Sequence, residues 1–336
     1  MDVAVVIPVK VRSPEEAGDL VACLGALAAC DPPPAEVVVV DDGSAQPVAL
    51  PPVVPPHTRV LRQDNRGPGP ARNAGLHATR APLVAFIDAD VQVAPDALGR
   101  LAAHFLRGPD VAAVWATVSA VHPHGGTLST YKLLTHRHFT LRLGAGPGPW
   151  ETPHLTTMLA VVRRAPFEAV GGFSPSWDTV SVEDVELGRD LVDAGGRVLL
   201  DPTVEVSHGH RFTLRAALRN DAHKLRRLVS ATLARRARGG ASVQGPSATA
   251  SRMRSYAASV PLGVAAVATG AVGLWPVSVA LLGGLALAER DLVGFLAREA
   301  GPVFAVKVLP VIALERCTAA AAGALGLIDH ARARSA

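Results

Sequence analysis

Two carboxylates follow an apolar run near the start of the sequence. Asp41 and Asp42 come directly after the β-branched residues Val37–Val40. Because open α/β sheets bind ligands at the carboxyl ends of their strands, a carboxylate here can accept a hydrogen bond from a nucleobase imide or a ribose hydroxyl. A turn rich in Asp, Gly and Ser explains the same residues, and the pair alone leaves both interpretations open.

A second pair, Asp88 and Asp90, follows the apolar run Leu83–Ile87. Side chains two residues apart on an extended segment point the same way, so both carboxylates can face one divalent cation that bridges to phosphates. Mg²⁺ or Mn²⁺ suits such oxygen ligands. The alternative is a strand that ends in a solvated loop.

His208 and His210 could form a further pair of metal ligands, but two imidazoles with no placed third ligand are more often a solvated strand end.

A glycine-rich turn, Asn65–Gly75, precedes a predicted helix and carries Arg66 and Arg72. Backbone amides at a helix start, together with two guanidinium groups, suit a diphosphate. The turn lacks the Gly-Lys-Ser/Thr ending of a P-loop. An ordinary loop with solvated arginines remains the alternative interpretation.

Glu183 and Asp184 stand at the start of another predicted helix. The helix dipole favours carboxylates there without any catalytic role. Alternatively, one of the two removes a proton from an acceptor hydroxyl.

The elements that would position these side chains alternate between strands and helices as far as His208, which predicts an α/β fold with a mostly parallel sheet and flanking helices. The predicted strands are Val3–Pro8, Glu36–Val40, Arg59–Arg62, Leu83–Ile87, Val111–Val118, Val198–Leu200 and Val204–Ser207. Predicted helices cover Pro14–Ala29 with Ser13 as N-cap, begin near Pro70 and near Pro95, and cover Val185–Ala194.

The second half of the chain has a different composition. Residues 211–254 are strongly basic and end in a stretch rich in Gly, Ser, Ala and Pro, whereas residues 255–288 carry no charge. The uncharged stretch exceeds the roughly 20 residues that cross a bilayer as a helix, so we expect a transmembrane segment there, with a bend permitted at Trp275-Pro276. Residues 289–336 are apolar but interrupted by charges, which predicts a second membrane-associated or transmembrane helical region.

Composition limits the class of protein. Of the 336 residues, 49% are hydrophobic, so the chain is too apolar to be disordered. Its three cysteines lack the spacing of a zinc site or a disulfide scaffold, which favours a reducing environment. The start of the chain lacks the features of a signal peptide and is predicted to form a buried strand. Basic residues before an apolar stretch indicate a cytosolic position and contact with anionic lipids rather than with nucleic acid.

The order of motifs over residues 1–210 resembles the inverting glycosyltransferases of family 2, which have the GT-A fold. The residues that carry the resemblance are Val5–Pro8, Val39–Ser44, Gly67, Ala71–Gly75, Phe86–Asp90, Gly171–Phe173 and Glu183–Gly188.

The resemblance implies a role for each matching residue. Asp42 would contact the base of a nucleotide sugar, Asp88 the ribose or the metal, and Asp90 the metal, with His208 completing the metal or diphosphate site. Asp184 would be the general base and Glu183 would shape the acceptor pocket. The full predicted donor site comprises Pro8, Asp41, Asp42, Arg66, Gly67, Arg72, Asn73 and Asp88. Among the tryptophans, Trp115, Trp150 and Trp177 are candidates for sugar or lipid contact.

The expected function is sugar transfer, with inversion and a divalent metal, from a UDP- or GDP-sugar to a hydroxyl or phosphate of an acceptor. A polyprenyl phosphate or another lipid is the expected acceptor, and the cytoplasmic membrane is the expected location. The expected organisation is a GT-A domain (residues 1–210), a basic juxtamembrane helix and linker (211–254), a transmembrane segment (255–288) and the helical region 289–336. The alternative is a non-catalytic nucleotide- or lipid-binding scaffold in a membrane complex that assembles glycans.

Overall fold

A computed structural model describes residues 2–174, 182–237 and 246–335. The chain divides into two compact units, neither of which is continuous in sequence. The first unit consists of Met1–His124 and Leu143–His210, and the second consists of Gly125–Arg142 and Arg211–Ala336. This division differs from the predicted domain at residues 1–210, because residues 125–142 belong with the C-terminal helices.

Strands and helices follow one another through the first unit, and in the described part of the second unit the regular elements are all helices. The strands are β1 (Val3–Val9), β2 (Glu36–Asp42), β3 (Thr58–Gln63), β4 (Leu83–Ile87), β5 (Val91–Val93), β6 (Val111–Val118), β7 (Trp150–Glu151), β8 (Leu159–Arg163) and β9 (Arg197–His208). The helices are α1 (Pro14–Ala28), α2 (Pro68–His77), α3 (Ala97–Arg107), α4 (Thr127–Thr140), α5 (Arg164–Ala169), α6 (Glu183–Asp193), α7 (Leu214–Ala237), α8 (Pro246–Ala271), α9 (Trp275–Ala288), α10 (Arg290–Ala300), α11 (Pro302–Lys307) and α12 (Leu309–Ser335).

One mixed sheet forms the centre of the first unit. In the described residues its strand order is β3-β2-β1-β4-β8-β6-β9-β5, with β7 paired to β9. Strands β1 to β4 are mutually parallel where they pair, β6 and β9 are parallel to each other, and β8 runs antiparallel between β4 and β6. The expected α/β fold with a mostly parallel sheet and flanking helices is therefore confirmed.

The core of this unit follows from the continuous apolar runs of the central strands. Strands β4 and β6 are buried along their whole length, as expected where helices cover both faces of a sheet. Helix α2 lies close against the sheet because Gly75 has no side chain. A Cβ placed there would be 2.3 Å from Cγ1 of Val6 and 3.0 Å from Cγ2 of Val40.

Local capping also follows the sequence. The predicted N-cap of α1 is confirmed, since the Glu16 backbone N–H donates to Ser13 Oγ at 3.3 Å.

The strand β8 lies between β4 and β6 although no strand was predicted at Leu159–Arg163. Its five residues are too few to show a period that would distinguish a strand from a buried helix segment.

The expected membrane span at residues 255–288 is not one continuous helix. Helix α8 ends at Ala271 and α9 begins at Trp275. Gly273 has a φ of +81°, which suits glycine, and Pro276 lies in the first turn of α9. The two helices pack together, with Ser278 Oγ donating to the Ala266 carbonyl at 2.8 Å.

In the described residues, one helical segment is long and apolar enough to cross a membrane, Leu309–Arg332 within α12. It falls inside the region 289–336 for which a second membrane-associated helix was expected. The linker expected near residues 239–251 is helical from Pro246 onward, and residues 238–245 lie outside the described part of the chain.

Candidate active site

Three side chains from distant parts of the sequence meet at one edge of the sheet. Asp90 follows β4, and β9 ends at His208, beside Val91 of β5. Asp90 Oδ1 lies 3.3 Å from His208 Nε2, and its Oδ2 lies 3.0 Å from His210 Nδ1. The ligand atoms of the three residues are within 4.8 Å of one another. Asp90 thus lies where it could be the third ligand, beside the two histidines, of a bound metal ion.

Asp90 is ionised in this cluster. Burial raises the pKa of the Asp90 carboxyl, but the imidazoles of His208 and His210 outweigh burial, so the pKa lies well below its ordinary value. A carboxylate oxygen and imidazole nitrogens are common ligands of divalent transition metals, and the donor set therefore fits a cation such as Mn²⁺.

Two further histidines lie near this segment, and one of them bonds to His210. His122 Nε2 lies 2.9 Å from the His210 carbonyl, and His124 Nε2 lies 3.1 Å from Asp19 Oδ1 of α1. The Gly209 backbone N–H donates to the Asp90 carbonyl at 2.7 Å. No local pattern in the sequence points to His122 or His124, because the partners of these side chains lie in other segments.

Arg72 joins two carboxylates at the centre of the site. It lies in α2 and is buried, and its two terminal nitrogens donate to Asp88 Oδ1 at 2.8 Å and to Glu183 Oε1 at 3.1 Å. The ring of Phe173 lies 5.4 Å from the guanidinium carbon. Asp88, predicted as a metal ligand, therefore pairs with Arg72 and is not part of the Asp90 cluster in the described residues.

Asp42 fixes the glycine-rich turn at the start of α2. Its carboxylate accepts hydrogen bonds from the backbone N–H groups of Arg66 at 2.8 Å and Gly67 at 2.9 Å, and from the Gln63 amide at 2.8 Å. Gly67 is the N-cap of α2 with a φ of +90°, which favours glycine. The Arg66 side chain is exposed.

Asp41 is buried and holds the loop that follows β2. It accepts hydrogen bonds from the backbone N–H groups of Ser44 at 2.9 Å and Val48 at 3.2 Å, and from Arg62 at 3.0 Å. Pro8 lies in β1, half-buried, and is paired with Val40. These contacts make Asp41 part of the framework around the expected nucleotide site.

Asn73 connects α2 to the segment that leads toward α6. Its side-chain amide donates to the Phe173 carbonyl at 2.7 Å and its Oδ1 accepts from the Phe173 N–H at 3.0 Å. Asp184 lies in the first turn of α6, half-buried, beside the buried Glu183. Helix α6 thus pairs the carboxylate of Glu183 with Arg72, whereas the carboxylate of Asp184 is half-buried.

The tryptophan candidates have different surroundings. Trp115 is fully buried in β6, which makes it part of the core. Trp150 is partly buried, and its indole N–H donates to the Gly146 carbonyl at 3.1 Å. Trp177 lies outside the described residues.

Comparisons with known proteins show which chains this protein is similar to. The family described as glycosyl transferase family 2 matches residues 4–171. A pre-mycofactocin glycosyltransferase of Mycobacterium tuberculosis is 36% identical over 222 residues, which cover 64% of this chain and 44% of that protein. The succinoglycan biosynthesis protein ExoO of Rhizobium meliloti is 48% identical over 69 residues, 20% of each chain. This chain thus spans less than half the length of the mycobacterial relative.

Solved structures share the fold at low identity. The mannosyltransferase PcManGT of Pyrobaculum calidifontis, in complex with GDP-Man and Mn²⁺, matches with a TM-score of 0.57 and 19% identity, covering 96% of this chain and 86% of that one. Residues 1–349 of TarS from S. aureus, in complex with UDP-GlcNAc, match with a TM-score of 0.50 and 15% identity, covering 96% and 91%. With the family match extending over half of the residues, from 4 to 171, the chain belongs to glycosyl transferase family 2.

Proposed function

We propose that this protein transfers a sugar from a nucleotide-sugar donor to an acceptor. The observation that carries the proposal is the Asp90–His208–His210 cluster, which provides a ligand set for a divalent cation at the edge of the sheet where α/β proteins bind ligands. Membership of the family supports the same reaction. The solved relatives that bind GDP-Man or UDP-GlcNAc make a GDP- or UDP-sugar the proposed donor.

The residues of the site have different proposed roles. Asp90, His208 and His210 would hold the cation, which when bound neutralises negative charge on the departing nucleoside diphosphate. Asp42 keeps the backbone of Arg66 and Gly67 in place at the start of α2, because its carboxylate accepts hydrogen bonds from both N–H groups. Arg72 neutralises Glu183 and Asp88, so that two buried or half-buried carboxylates can lie near the donor.

Asp184 is the proposed general base. It would accept the proton of the attacking acceptor hydroxyl, and direct displacement would then invert the anomeric carbon. Its neighbour Glu183 would shape the acceptor pocket while held by Arg72. Arg72 therefore acts as a positioning residue for the helix that carries the base.

The acceptor is proposed to be lipid-linked, such as a polyprenyl phosphate. Helix α7 carries a series of basic side chains that can bind phosphate, and α12 contains a segment of suitable length and apolarity to cross a membrane. We place the protein at the cytoplasmic membrane with the active site on the cytosolic side, because basic residues adjacent to apolar helices favour that side.

The test uses the full chain, purified in detergent, with a panel of UDP- and GDP-sugars and with Mn²⁺ or Mg²⁺. We expect release of nucleoside diphosphate that depends on the cation and is lost in Asp90→Asn. We also expect Asp184→Asn to retain nucleotide binding while losing transfer. Binding of donor without turnover in every combination would contradict the proposal and favour the non-catalytic scaffold.

A further inference from the structure

The helical second unit contains a cavity of about 440 Å³ lined by residues of α4 and α10 and by the residues that follow α4. Its volume lies in the range of about 300–1,000 Å³ that is common for small-molecule sites. The side chains that matter for its chemistry are His138, Arg142, Arg290, Asp291, Phe295 and Arg298. None of them has a part in the proposed sugar transfer.

Positive charge dominates the lining. Three guanidinium groups face the cavity together with one carboxylate. Arg142 forms an ion pair with Asp291 at 3.1 Å, and among the described residues Arg290 and Arg298 take part in no salt bridge. Because a guanidinium donates two parallel hydrogen bonds to phosphate oxygens, the excess of arginine favours a phosphate group as ligand.

The floor of the cavity is apolar. Phe295 is buried, and its ring centre lies 5.0 Å from that of His138 on α4. Leu292 and Leu296 are buried on the same face of α10, whereas Arg290 and Arg298 are exposed. Helix α10 therefore presents arginines at the mouth of a pocket whose base is made of packed side chains.

The helices next to α10 in the chain carry exposed apolar side chains. Leu287 of α9 is 72% exposed, and Val303 and Val306 of α11 are 80% and 65% exposed. Helix α10 contacts both α9 and α11. Arginines beside exposed aliphatic side chains are the combination found where a protein meets the headgroup region of a membrane.

We propose that this cavity binds the phosphate of an anionic phospholipid headgroup, with Arg290 and Arg298 as its main ligands. The charge of the lining selects the phosphate, and the exposed side chains of α9 and α11 favour a phosphate carried by a lipid. The proposal does not depend on sugar transfer, because binding is measured without donor.

The test compares binding of the full chain to vesicles of phosphatidylcholine with and without phosphatidylglycerol. We expect Arg290→Gln with Arg298→Gln to weaken binding to the anionic vesicles about tenfold or more, since each basic group at a membrane surface contributes measurably. Arg290→Lys with Arg298→Lys should retain only part of the binding, because the charge stays while the paired hydrogen bonds of the guanidinium groups are lost. The matched control is Arg80→Gln with Arg107→Gln, which removes the same charge from exposed positions in the first unit.

The outcomes separate the possible ligands. Equal losses in the R290Q/R298Q variant and the control would overturn the proposal, because only total charge would then matter. Glycerol phosphate that binds tightly at these arginines while the vesicles do not would overturn the lipid assignment. Thermal unfolding of each variant, unchanged from the parent chain, shows that a loss of binding is not a loss of folding.

Discussion

His210 is the third member of the cluster that we propose as a cation site, with Asp90 and His208. Asp90 Oδ2 lies 3.0 Å from His210 Nδ1, and the Gly209 N–H donates to the Asp90 carbonyl, so the two residues that follow β9 are fixed around Asp90. A ligand in a fixed position loses little entropy on binding a cation. His210 should therefore contribute to cation affinity as well as His208.

We predict that His210→Gln weakens Mn²⁺ binding by at least about tenfold, since removing even indirect support of a metal site has effects of that size. Isothermal titration of the full chain with Mn²⁺, without nucleotide, measures the change. His77→Gln, at an exposed position in the last turn of α2, is the control. Unchanged affinity in His210→Gln would show that this imidazole is not a ligand.

Asp41 gives a prediction for stability in acid. Burial raises the pKa of Asp41, but hydrogen bonds from Ser44 and Val48 and the charge of Arg62 outweigh it, so the pKa lies below the ordinary 3.8. A lowered pKa stabilises the folded protein above the unfolded value, and this stabilisation is lost as the pH falls through the folded value. The advantage of the parent chain over Asp41→Asn should therefore be constant near neutral pH and shrink below about pH 4.

Urea unfolding of both chains across this pH range measures that difference. The assigned role of the carboxylate would be contradicted if the difference between the two free energies of unfolding did not change as the pH is lowered below about 4. Asp96→Asn, at an exposed position before α3, is the matched control and should follow the parent chain.

At the scale of elements, the approach of α2 to the sheet depends on Gly75. We predict that Gly75→Ala destabilises the protein by about 1–3 kcal/mol, because the new methyl group would overlap Val6 in β1. Gly18→Ala in α1 has no atom within 4 Å of the new methyl group. It should stabilise the helix by about 0.5–1 kcal/mol.

Chemical denaturation of the two variants tests this contrast. Equal effects would mean that helix propensity alone determines both, and that α2 can shift without cost. Because α2 also carries Arg72 and Asn73, a shift of α2 should also lower nucleotide binding in Gly75→Ala.

At the scale of the whole molecule, the second unit depends on contacts between residues far apart in sequence. Lys132 Nζ of α4 donates to Asp221 of α7 at 2.7 Å and to Glu315 of α12 at 3.0 Å, and Tyr131 Oη donates to Glu315 at 2.5 Å. Removing the cation leaves two carboxylates without compensation. We predict that Lys132→Met destabilises this unit by about 3–5 kcal/mol.

Thermal unfolding in detergent, followed by circular dichroism, measures the effect. Lys224→Met removes the same charge from an exposed position on α7 and should leave the transition unchanged. If the two substitutions lower the transition temperature equally, the Lys132 ion pairs do not hold α4, α7 and α12 together.

Much of the fold was predictable because strands β1, β2, β4 and β6 are continuous apolar runs with clear ends. Strand β8 was not predicted because its five residues, of which four are apolar, are too few to define a period. Trp275-Pro276 permitted a bend where α9 begins, but the packing of α9 against α8 was not predictable, since apolar composition predicts burial without saying whether lipid or another helix provides it.

The candidate site was predictable in part for a similar reason. Asp90 and His208 follow recognisable strands, and their meeting depends on the pairing of β5 with β9. His210 seemed to lack a third ligand because Asp90 is 120 residues away in sequence. The bridge from Arg72 to Asp88 and Glu183 spans three elements, and no local pattern reveals it.

The membership of α4 in the second unit has a practical consequence for anyone who wishes to shorten this protein. A fragment cut after residue 210 would retain α4 with Tyr131, Leu133 and Leu134, all buried in the intact chain, but without α7 and α12. Those side chains would then meet water, and we expect such a fragment to aggregate. Replacing residues 125–142 with a short polar loop is the change that should yield a tractable soluble enzyme core.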